Sequence, residues 1–235
     1  MAARDDLPQR AILWDLDGTL ADTEELHAVA ERSVLGSLGV ADELIEAAMS
    51  SPDRLGQTTR RVLLGALERA GLSHRIDEAM ELFQARAAVE VIGRAQPKPG
   101  VNRLLLDIPM REVRFALVTS SRRDTAEALL ERFAWTWRFE LITSVDDVAR
   151  PKPDPEPYRV TCERLGISPS SALAVEDSPL GIQSARAAGV RVAAVVGTFP
   201  ADELRGANWI ISDVGAVPSL LRLIERDLAA KGRET

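Results

Sequence analysis

Two pairs of acidic residues, far apart in the chain, have the residue types that bind a divalent cation. Asp15 and Asp17 follow the apolar run 11–14, and Glu176 and Asp177 follow a second apolar run. Carboxylates a few ångströms apart stay ionised only when a cation compensates their charge, and oxygen ligands favour Mg²⁺ over zinc or copper. If the two pairs meet, the sequence predicts a Mg²⁺ site whose remaining positions are open to water and to a phosphate oxygen.

A lysine, two or three hydroxyl residues and a glycine supply the other groups that such a site needs. Thr119, Ser120 and Ser121 follow a predicted strand, with either serine able to contact the phosphate, and Lys152 lies in the proline-rich segment 150–155. Gly18 lets the chain turn after the first acidic pair. Ligands of open α/β sheets bind at the carboxyl ends of the strands, so we expect these groups at one edge, where they would bind the oxygens of a phosphoryl group. The pattern therefore indicates a phosphate ester as the ligand.

The spacing of Asp15 and Asp17 fits two different roles in phosphoryl transfer. Residues two apart on an extended chain face the same side, so both carboxyl groups can lie beside one ligand. A carboxylate that stays ionised can attack phosphorus and form an aspartyl phosphate. A neighbouring carboxylic acid can protonate the leaving alkoxide and then accept a proton from the water that hydrolyses the intermediate.

The rest of the sequence predicts the fold that positions these groups. Towards the C-terminus, short apolar strands alternate with helical patterns, which favours a parallel sheet with helices on both faces. The first strand has no other sheet to join, whereas residues 21–92 show helical spacing of apolar residues. We therefore predict an α/β, Rossmann-like core formed by residues 1–21 and 97–235, with an all-helical domain inserted at residues 22–96. The predicted strands are 11–14, 114–118, 139–143, 172–175, 192–196 and 209–211, and the predicted core helices are 124–134, 155–166 and 179–188.

Composition argues against several classes of protein and ligand. The formal net charge of −7 argues against a nucleic acid or an anionic membrane surface as the partner. The single cysteine, Cys162, excludes an intramolecular disulfide and a cysteine-rich zinc site. The sequence has no apolar run of the roughly 20 residues that span a bilayer, and residues 1–10 lack the pattern of a signal peptide. We expect a cytoplasmic protein that binds a small molecule, and its oligomeric state stays open.

Four motifs, in order along the chain, resemble those of the haloacid dehalogenase-like phosphohydrolase superfamily. The run Asp-Leu-Asp-Gly-Thr-Leu at residues 15–20 resembles the first motif. Thr119 matches the second motif, Lys152 the third, and the pair Glu176 and Asp177 the fourth. This resemblance implies a phosphatase of a small phosphorylated metabolite, of the sugar phosphate or phosphoglycolate type, that works through an aspartyl phosphate.

The position of the helical insertion indicates which subfamily of the superfamily the chain resembles. An insertion between the first and second motifs is similar to subfamily I of the superfamily, which carries a C1-type helical cap. Residues 21–24 and 176–182 resemble the β-phosphoglucomutase and phosphoglycolate phosphatase branch.

The resemblance also implies a role for each matched residue. Asp15 would be the nucleophile, Asp17 the general acid and base, and Lys152 the catalytic cation. Mg²⁺ is the implied cofactor. It would be held by the Asp15 side chain, the Asp17 carbonyl and Asp177, with Glu176 adjacent. The predicted phosphate-binding residues are Gly18, Thr119, Ser120 and Lys152.

Residues of the predicted helical domain bear on the choice between a phosphatase and a phosphomutase. His27 stands where mutase-like members have a histidine near the active site, although an ordinary helix histidine explains it equally well. The mutase branch has an arginine three residues after the glycine that Gly56 matches, and here that position is Thr59, followed by Arg60. We take His27, Thr59 and Arg60 as candidate substrate contacts. A β-phosphoglucomutase-like phosphomutase is the alternative to the phosphatase, and a non-catalytic binding module on the same fold is the third hypothesis.

Overall fold

The computed structural model describes residues 10–51 and 58–222, and these residues form two compact units. One unit contains the described parts of Met1–Leu20 and Pro97–Thr235, and the other contains the described part of Ala21–Gln96. Among the described residues, no helix is both long enough and apolar enough to cross a membrane.

The elements are numbered in chain order over the described residues. The strands are β1 (Ala11–Trp14), β2 (Ala21–Asp22), β3 (Gln96–Pro97), β4 (Arg114–Val118), β5 (Leu141–Thr143), β6 (Ala172–Glu176), β7 (Arg191–Val195) and β8 (Trp209–Ile211). The α-helices are α1 (Glu24–Ser37), α2 (Asp42–Met49), α3 (Thr59–Arg69), α4 (Ile76–Arg94), α5 (Val101–Asp107), α6 (Arg123–Arg132), α7 (Glu156–Leu165) and α8 (Pro179–Ala187).

A parallel sheet with the strand order β5-β4-β1-β6-β7-β8 forms the centre of the first unit. The first strand lies in the middle, and the chain adds strands on one side of it and then on the other. The predicted parallel α/β fold is confirmed, and the bounds of these six strands differ from the predicted ones by two residues at most, whereas β2 and β3 were not predicted. Helix α5 was not predicted; it is short and directly follows the segment 96–100, which has proline at positions 97 and 99.

Both faces of this sheet are covered. In β1, Ala11 and Leu13 belong to a hydrophobic core that residues of α7 and α8 share. Ile12 and Trp14 alternate with them and point to the opposite face, yet they are also fully buried. A short strand that is apolar at every position therefore fits a parallel sheet with cover on both sides.

The second unit is built from α1 to α4, and β2 pairs with β3 in a separate two-stranded sheet. The Thr58 hydroxyl accepts the N–H of Arg61 and caps the first turn of α3. Apolar faces of the four helices form one core, whose most buried members include Ala30, Val34, Leu35, Leu63, Ala66, Leu67 and Ala79.

Candidate active site

The ends of two neighbouring strands, β1 and β6, bring the predicted acidic residues together. Trp14, the last residue of β1, pairs with Leu117 of β4 and with Val175 of β6. The pairing continues one residue further, since the Asp15 N–H donates to the Val175 carbonyl at 3.0 Å. Asp15 therefore lies at the carboxyl end of the central strand, beside Glu176, the last residue of β6.

The Lys152 ammonium lies between the two acidic pairs. Its Nζ donates to Oδ1 of Asp15 at 2.7 Å, to Oε1 of Glu176 at 2.6 Å and to the Val118 carbonyl at 2.9 Å. Lys152, Asp15 and Glu176 are all buried. Because an ammonium has three N–H bonds, these acceptors fix the position of the charge.

Asp17 is half-buried and is held by hydroxyl groups. Its Oδ2 accepts hydrogen bonds from Oγ of Ser121 at 2.6 Å and from Oγ1 of Thr119 at 3.2 Å. The Ser121 N–H in turn donates to the Thr119 hydroxyl at 2.9 Å. The structure thus brings the predicted Thr119 to Asp17, and Ser121 makes the bond to Asp17 while the predicted Ser120 is exposed.

Asp177 lies on the other side of this cluster, against Gly18. Its Oδ2 accepts a hydrogen bond from the Thr198 hydroxyl. Gly18 has a φ of +78°, and a β-carbon built on it would lie 2.0 Å from Oδ2 of Asp177. Both the left-handed backbone and the close approach of a carboxylate therefore require glycine here.

Glu176 is fully buried, and protein donors engage both of its carboxylate oxygens. Oε1 accepts from the Tyr158 hydroxyl at 2.6 Å as well as from Lys152, and Oε2 accepts from the Ser178 hydroxyl at 3.1 Å. A β-carbon on Gly181 would lie 2.0 Å from this carboxylate, so glycine is needed there too. These contacts fix Glu176 as a rigid partner of Lys152.

Burial shifts the pKa values of the charged groups in this cluster. Burial raises the pKa of Asp15 well above its ordinary value; the Lys152 ammonium opposes this shift, and Glu176 and Asp177 add to it. Burial also raises the pKa of Asp177 to about 7, with Glu176 adding and the hydrogen bond from Thr198 opposing. For Lys152, burial disfavours the ammonium, but Asp15 and Glu176 outweigh that effect and raise the pKa. One ammonium therefore does not compensate the buried acidic groups, which bind protons more readily than usual in the absence of a further cation.

The donor atoms fit a hard divalent cation. One carboxylate oxygen from each of Asp15, Glu176 and Asp177 lies within 4.8 Å of the others, and all three residues are buried. A cation there would supply the missing positive charge, and a set of oxygen ligands suits Mg²⁺. Because protein donors already engage both oxygens of Glu176, Asp15 and Asp177 have the oxygens that are more available to a metal ion.

Two residues that support this site, Tyr158 and Thr198, were not predicted from the sequence. Thr198 follows β7, so the rule that ligands bind at the carboxyl ends of strands could have identified it. Tyr158 lies inside α7, where an aromatic residue in a sequence looks the same whether or not its hydroxyl reaches a functional group.

Replacing Tyr158 with phenylalanine is expected to lower kcat by roughly three- to tenfold with little change in KM. The variant keeps the ring and removes one hydrogen bond to a buried carboxylate, so Glu176 and Lys152 lose part of their fixed geometry. Steady-state phosphate release measures both constants.

Thr161→Val is the matched control, because Thr161 lies on the same helix and its buried hydroxyl bonds Thr143 and the Pro157 carbonyl instead of Glu176. Both variants are expected to lower the melting temperature, and only Tyr158→Phe is expected to lower kcat. Equal kcat values for Tyr158→Phe and the wild type would show that the Tyr158 hydroxyl does not contribute to the functional site.

The candidate substrate contacts lie in the helical unit. The His27 ring, on α1, packs against the Phe83 ring with the centroids 5.9 Å apart. Arg60 donates to Oδ1 of Asp77 at 3.0 Å in an exposed ion pair, and Thr59 is the first residue of α3. Gly56, the glycine in which this segment resembles the mutase branch, lies outside the described residues.

Comparison with known proteins finds relatives that align with most of this chain. The sequence is 30% identical to validoxylamine A 7'-phosphate phosphatase of Streptomyces hygroscopicus subsp. limoneus over 210 residues, which cover 88% of this chain and 95% of the relative. It is 33% identical to phosphoglycolate phosphatase of Nitrosospira multiformis over 187 residues, which cover 79% of this chain and 82% of the relative.

A solved structure with bound phosphate is also similar. CbbY from Rhodobacter sphaeroides in complex with phosphate aligns with a TM-score of 0.67 and 28% identity, over 87% of this chain and 94% of that chain. The family described as haloacid dehalogenase-like hydrolase matches residues 12–195, which include all four motifs. The match confirms the resemblance predicted from the motifs: this chain belongs to the haloacid dehalogenase-like hydrolase family.

Proposed function

We propose that this chain is a Mg²⁺-dependent phosphatase that hydrolyses a small phosphorylated metabolite through an aspartyl phosphate on Asp15. One observation carries the proposal: the two aspartates are held by donors of different character. Asp15 accepts from the Lys152 ammonium, while Asp17 accepts from the hydroxyls of Thr119 and Ser121. An ammonium favours an ionised carboxylate, whereas a hydroxyl can donate to a carboxylate or accept from a carboxylic acid.

In the first step, a carboxylate oxygen of Asp15 attacks phosphorus and the bond from phosphorus to the ester oxygen breaks. The leaving alkoxide takes the proton of the Asp17 carboxylic acid, so a neutral alcohol departs. Lys152 lies beside the attacking carboxylate, where its charge offsets the negative charge that builds up on the phosphoryl oxygens.

In the second step, water attacks the phosphorus of the aspartyl phosphate. Asp17 accepts the proton of that water, the bond between Asp15 and phosphorus breaks, and inorganic phosphate is released. The hydroxyls of Thr119 and Ser121 hold the Asp17 carboxyl group in place through both proton transfers. Both steps therefore use the same two aspartates.

Asp15 and Asp177, with the Asp17 carbonyl, would hold the Mg²⁺ ion, and Glu176 lies adjacent. When bound, the ion supplies positive charge that reduces the repulsion between the Asp15 carboxylate and the phosphate and polarises a phosphoryl oxygen. The excess of buried carboxylates over ammonium groups supports this part of the proposal.

The names of the relatives support the substrate class, since both similar phosphatases are named for small phosphorylated molecules. The phosphomutase alternative stays a prediction, as do the helical domain at residues 22–96 and the candidate substrate contacts His27, Thr59 and Arg60.

Release of inorganic phosphate from a panel of phosphorylated metabolites tests the function. We expect release from at least one sugar phosphate or carboxylate-bearing phosphate ester with Mg²⁺, and none with EDTA. Conversion of a hexose 1-phosphate into the 6-phosphate with little free phosphate would instead favour the phosphomutase. Turnover that is unchanged in EDTA would contradict the metal dependence.

The covalent step has a separate test. Acid quenching during turnover, followed by borohydride reduction, converts an aspartyl phosphate into homoserine at that position. We expect peptide mass spectrometry to find homoserine at position 15 only in samples that contained substrate. Active enzyme that never shows this modification would overturn the proposed intermediate.

A further inference from the structure

The segment between the helical unit and α5 places Lys98 next to the first motif. The Lys98 N–H donates to the carbonyl of Leu20 at 2.8 Å, and its own carbonyl accepts from the N–H of Val101 at 3.2 Å. Proline on both sides, at positions 97 and 99, restricts the backbone further. The base of this side chain is therefore fixed.

The Lys98 ammonium lies beside the loop that follows β7. Its Nζ is 3.5 Å from the position that a β-carbon would take on Gly197. The next residue in this loop is Thr198, whose hydroxyl bonds Asp177 and lies close to Gly18. The ammonium therefore lies at the same edge of the sheet as the candidate metal ligands.

Lys98 differs from Lys152 in having no acidic partner in the part of the chain that the structure describes. It is half-buried, and no carboxylate among residues 10–51 and 58–222 lies within ion-pair distance of its Nζ. The Lys152 ammonium, by contrast, is surrounded by acceptors. A half-buried ammonium has lost part of its hydration, and an anion from a ligand would restore the lost interaction.

We infer that Lys98 binds a second anionic group, a carboxylate or a second phosphate, carried by the leaving group of the substrate. The inference rests on the proposed function and adds a substrate class to it. Lys152 holds Asp15 where the transferred phosphoryl group would bind, so a second cation beyond Asp177 and Thr198 is available to a different part of the substrate.

Two pairs of substrates, matched in shape, test this subsite. Phosphoglycolate and 2-hydroxyethyl phosphate differ in a carboxylate, and fructose 1,6-bisphosphate and fructose 1-phosphate differ in a second phosphate. For the pair that the enzyme hydrolyses, we expect the wild type to have the higher kcat/KM for the member that carries the additional anionic group. Lys98→Gln is expected to reduce the ratio of the two kcat/KM values about tenfold or more, because a charge-assisted hydrogen bond is lost. Lys98→Arg is expected to restore part of the ratio.

Arg191→Gln is the matched control, since it removes one positive charge from the opposite end of the same sheet. It is expected to leave the ratio unchanged. If phosphate is released but the ratio of the two kcat/KM values is the same in the wild type and Lys98→Gln, the subsite is overturned. Phosphate release with no preference for the additional anionic group in either pair would overturn it as well. No phosphate release from any of the four compounds, or from the wider panel, would instead contradict the proposed function. The pair that shows the preference identifies the anion as a carboxylate or a phosphate.

Discussion

The Asp15→Asn variant is expected to lose at least about a thousandfold in kcat while keeping its fold. A carboxamide cannot attack phosphorus as a carboxylate does, yet it has nearly the same size. Its oxygen can still accept the hydrogen bond from the Lys152 Nζ, which lies 2.7 Å from Oδ1 of Asp15. Phosphate release under saturating substrate and Mg²⁺ measures the loss.

The control for this experiment is Asp107→Asn, which removes an acidic charge from an exposed ion pair with Arg103 on α5. We expect that variant to keep its activity and both variants to show the wild-type circular dichroism spectrum. Because deamidation of the new asparagine would regenerate aspartate, mass spectrometry of the assayed sample must show an intact amide. Folded Asp15→Asn protein with more than a few per cent of wild-type turnover would rule out Asp15 as the nucleophile.

The Asp177→Asn variant is expected to be more stable than the wild type without metal at pH 8. Burial raises the pKa of Asp177 to about 7 in the folded protein, from an ordinary value of 3.8. The ionised group therefore costs folding free energy that accumulates as pH rises from about 4 to about 7 and is fully present above pH 7. Removing the charge recovers part of this cost, on the order of 2–4 kcal/mol for a shift of roughly three pKa units, and the gain shrinks as pH falls.

Thermal unfolding in EDTA and in Mg²⁺, at pH 8 and pH 5, measures these differences. We expect Mg²⁺ to raise the melting temperature of the wild type more than that of Asp177→Asn, and we expect turnover of the variant to fall at least about a hundredfold. A variant that is less stable than the wild type in EDTA at pH 8 would contradict the cost of the buried charge. Equal stabilisation of both proteins by Mg²⁺ would contradict metal binding by Asp177.

Much of the site could be predicted because parallel strands end at a common edge. That rule alone brings Asp15, Thr119 and Glu176 together, and the structure places them at neighbouring strand ends. The rule does not determine which side chain of a loop reaches the site. Ser121, and not Ser120, bonds Asp17, because the direction of a side chain in a short loop depends on backbone angles that no residue pattern specifies.

The contributions of helices and later loops were harder to predict. Tyr158 reaches Glu176 only because α7 packs on the sheet with that side facing inward. Before folding, its sequence position is indistinguishable from that of an ordinary core aromatic residue. Helix α5 is also too short for its apolar spacing to stand out from the surrounding chain.

The hydrogen bonds of Lys152 have a consequence for how a ligand enters the site. All three N–H bonds of this ammonium have acceptors within the protein: Asp15, Glu176 and the Val118 carbonyl. An incoming phosphoryl oxygen can gain a bond from Lys152 only by displacing one of these acceptors. In the proposed reaction, displacement of Asp15 would free its Oδ1 from the ammonium as the phosphate ester enters. Entry of the substrate would thereby change the hydrogen-bond partners of the nucleophile just before it attacks.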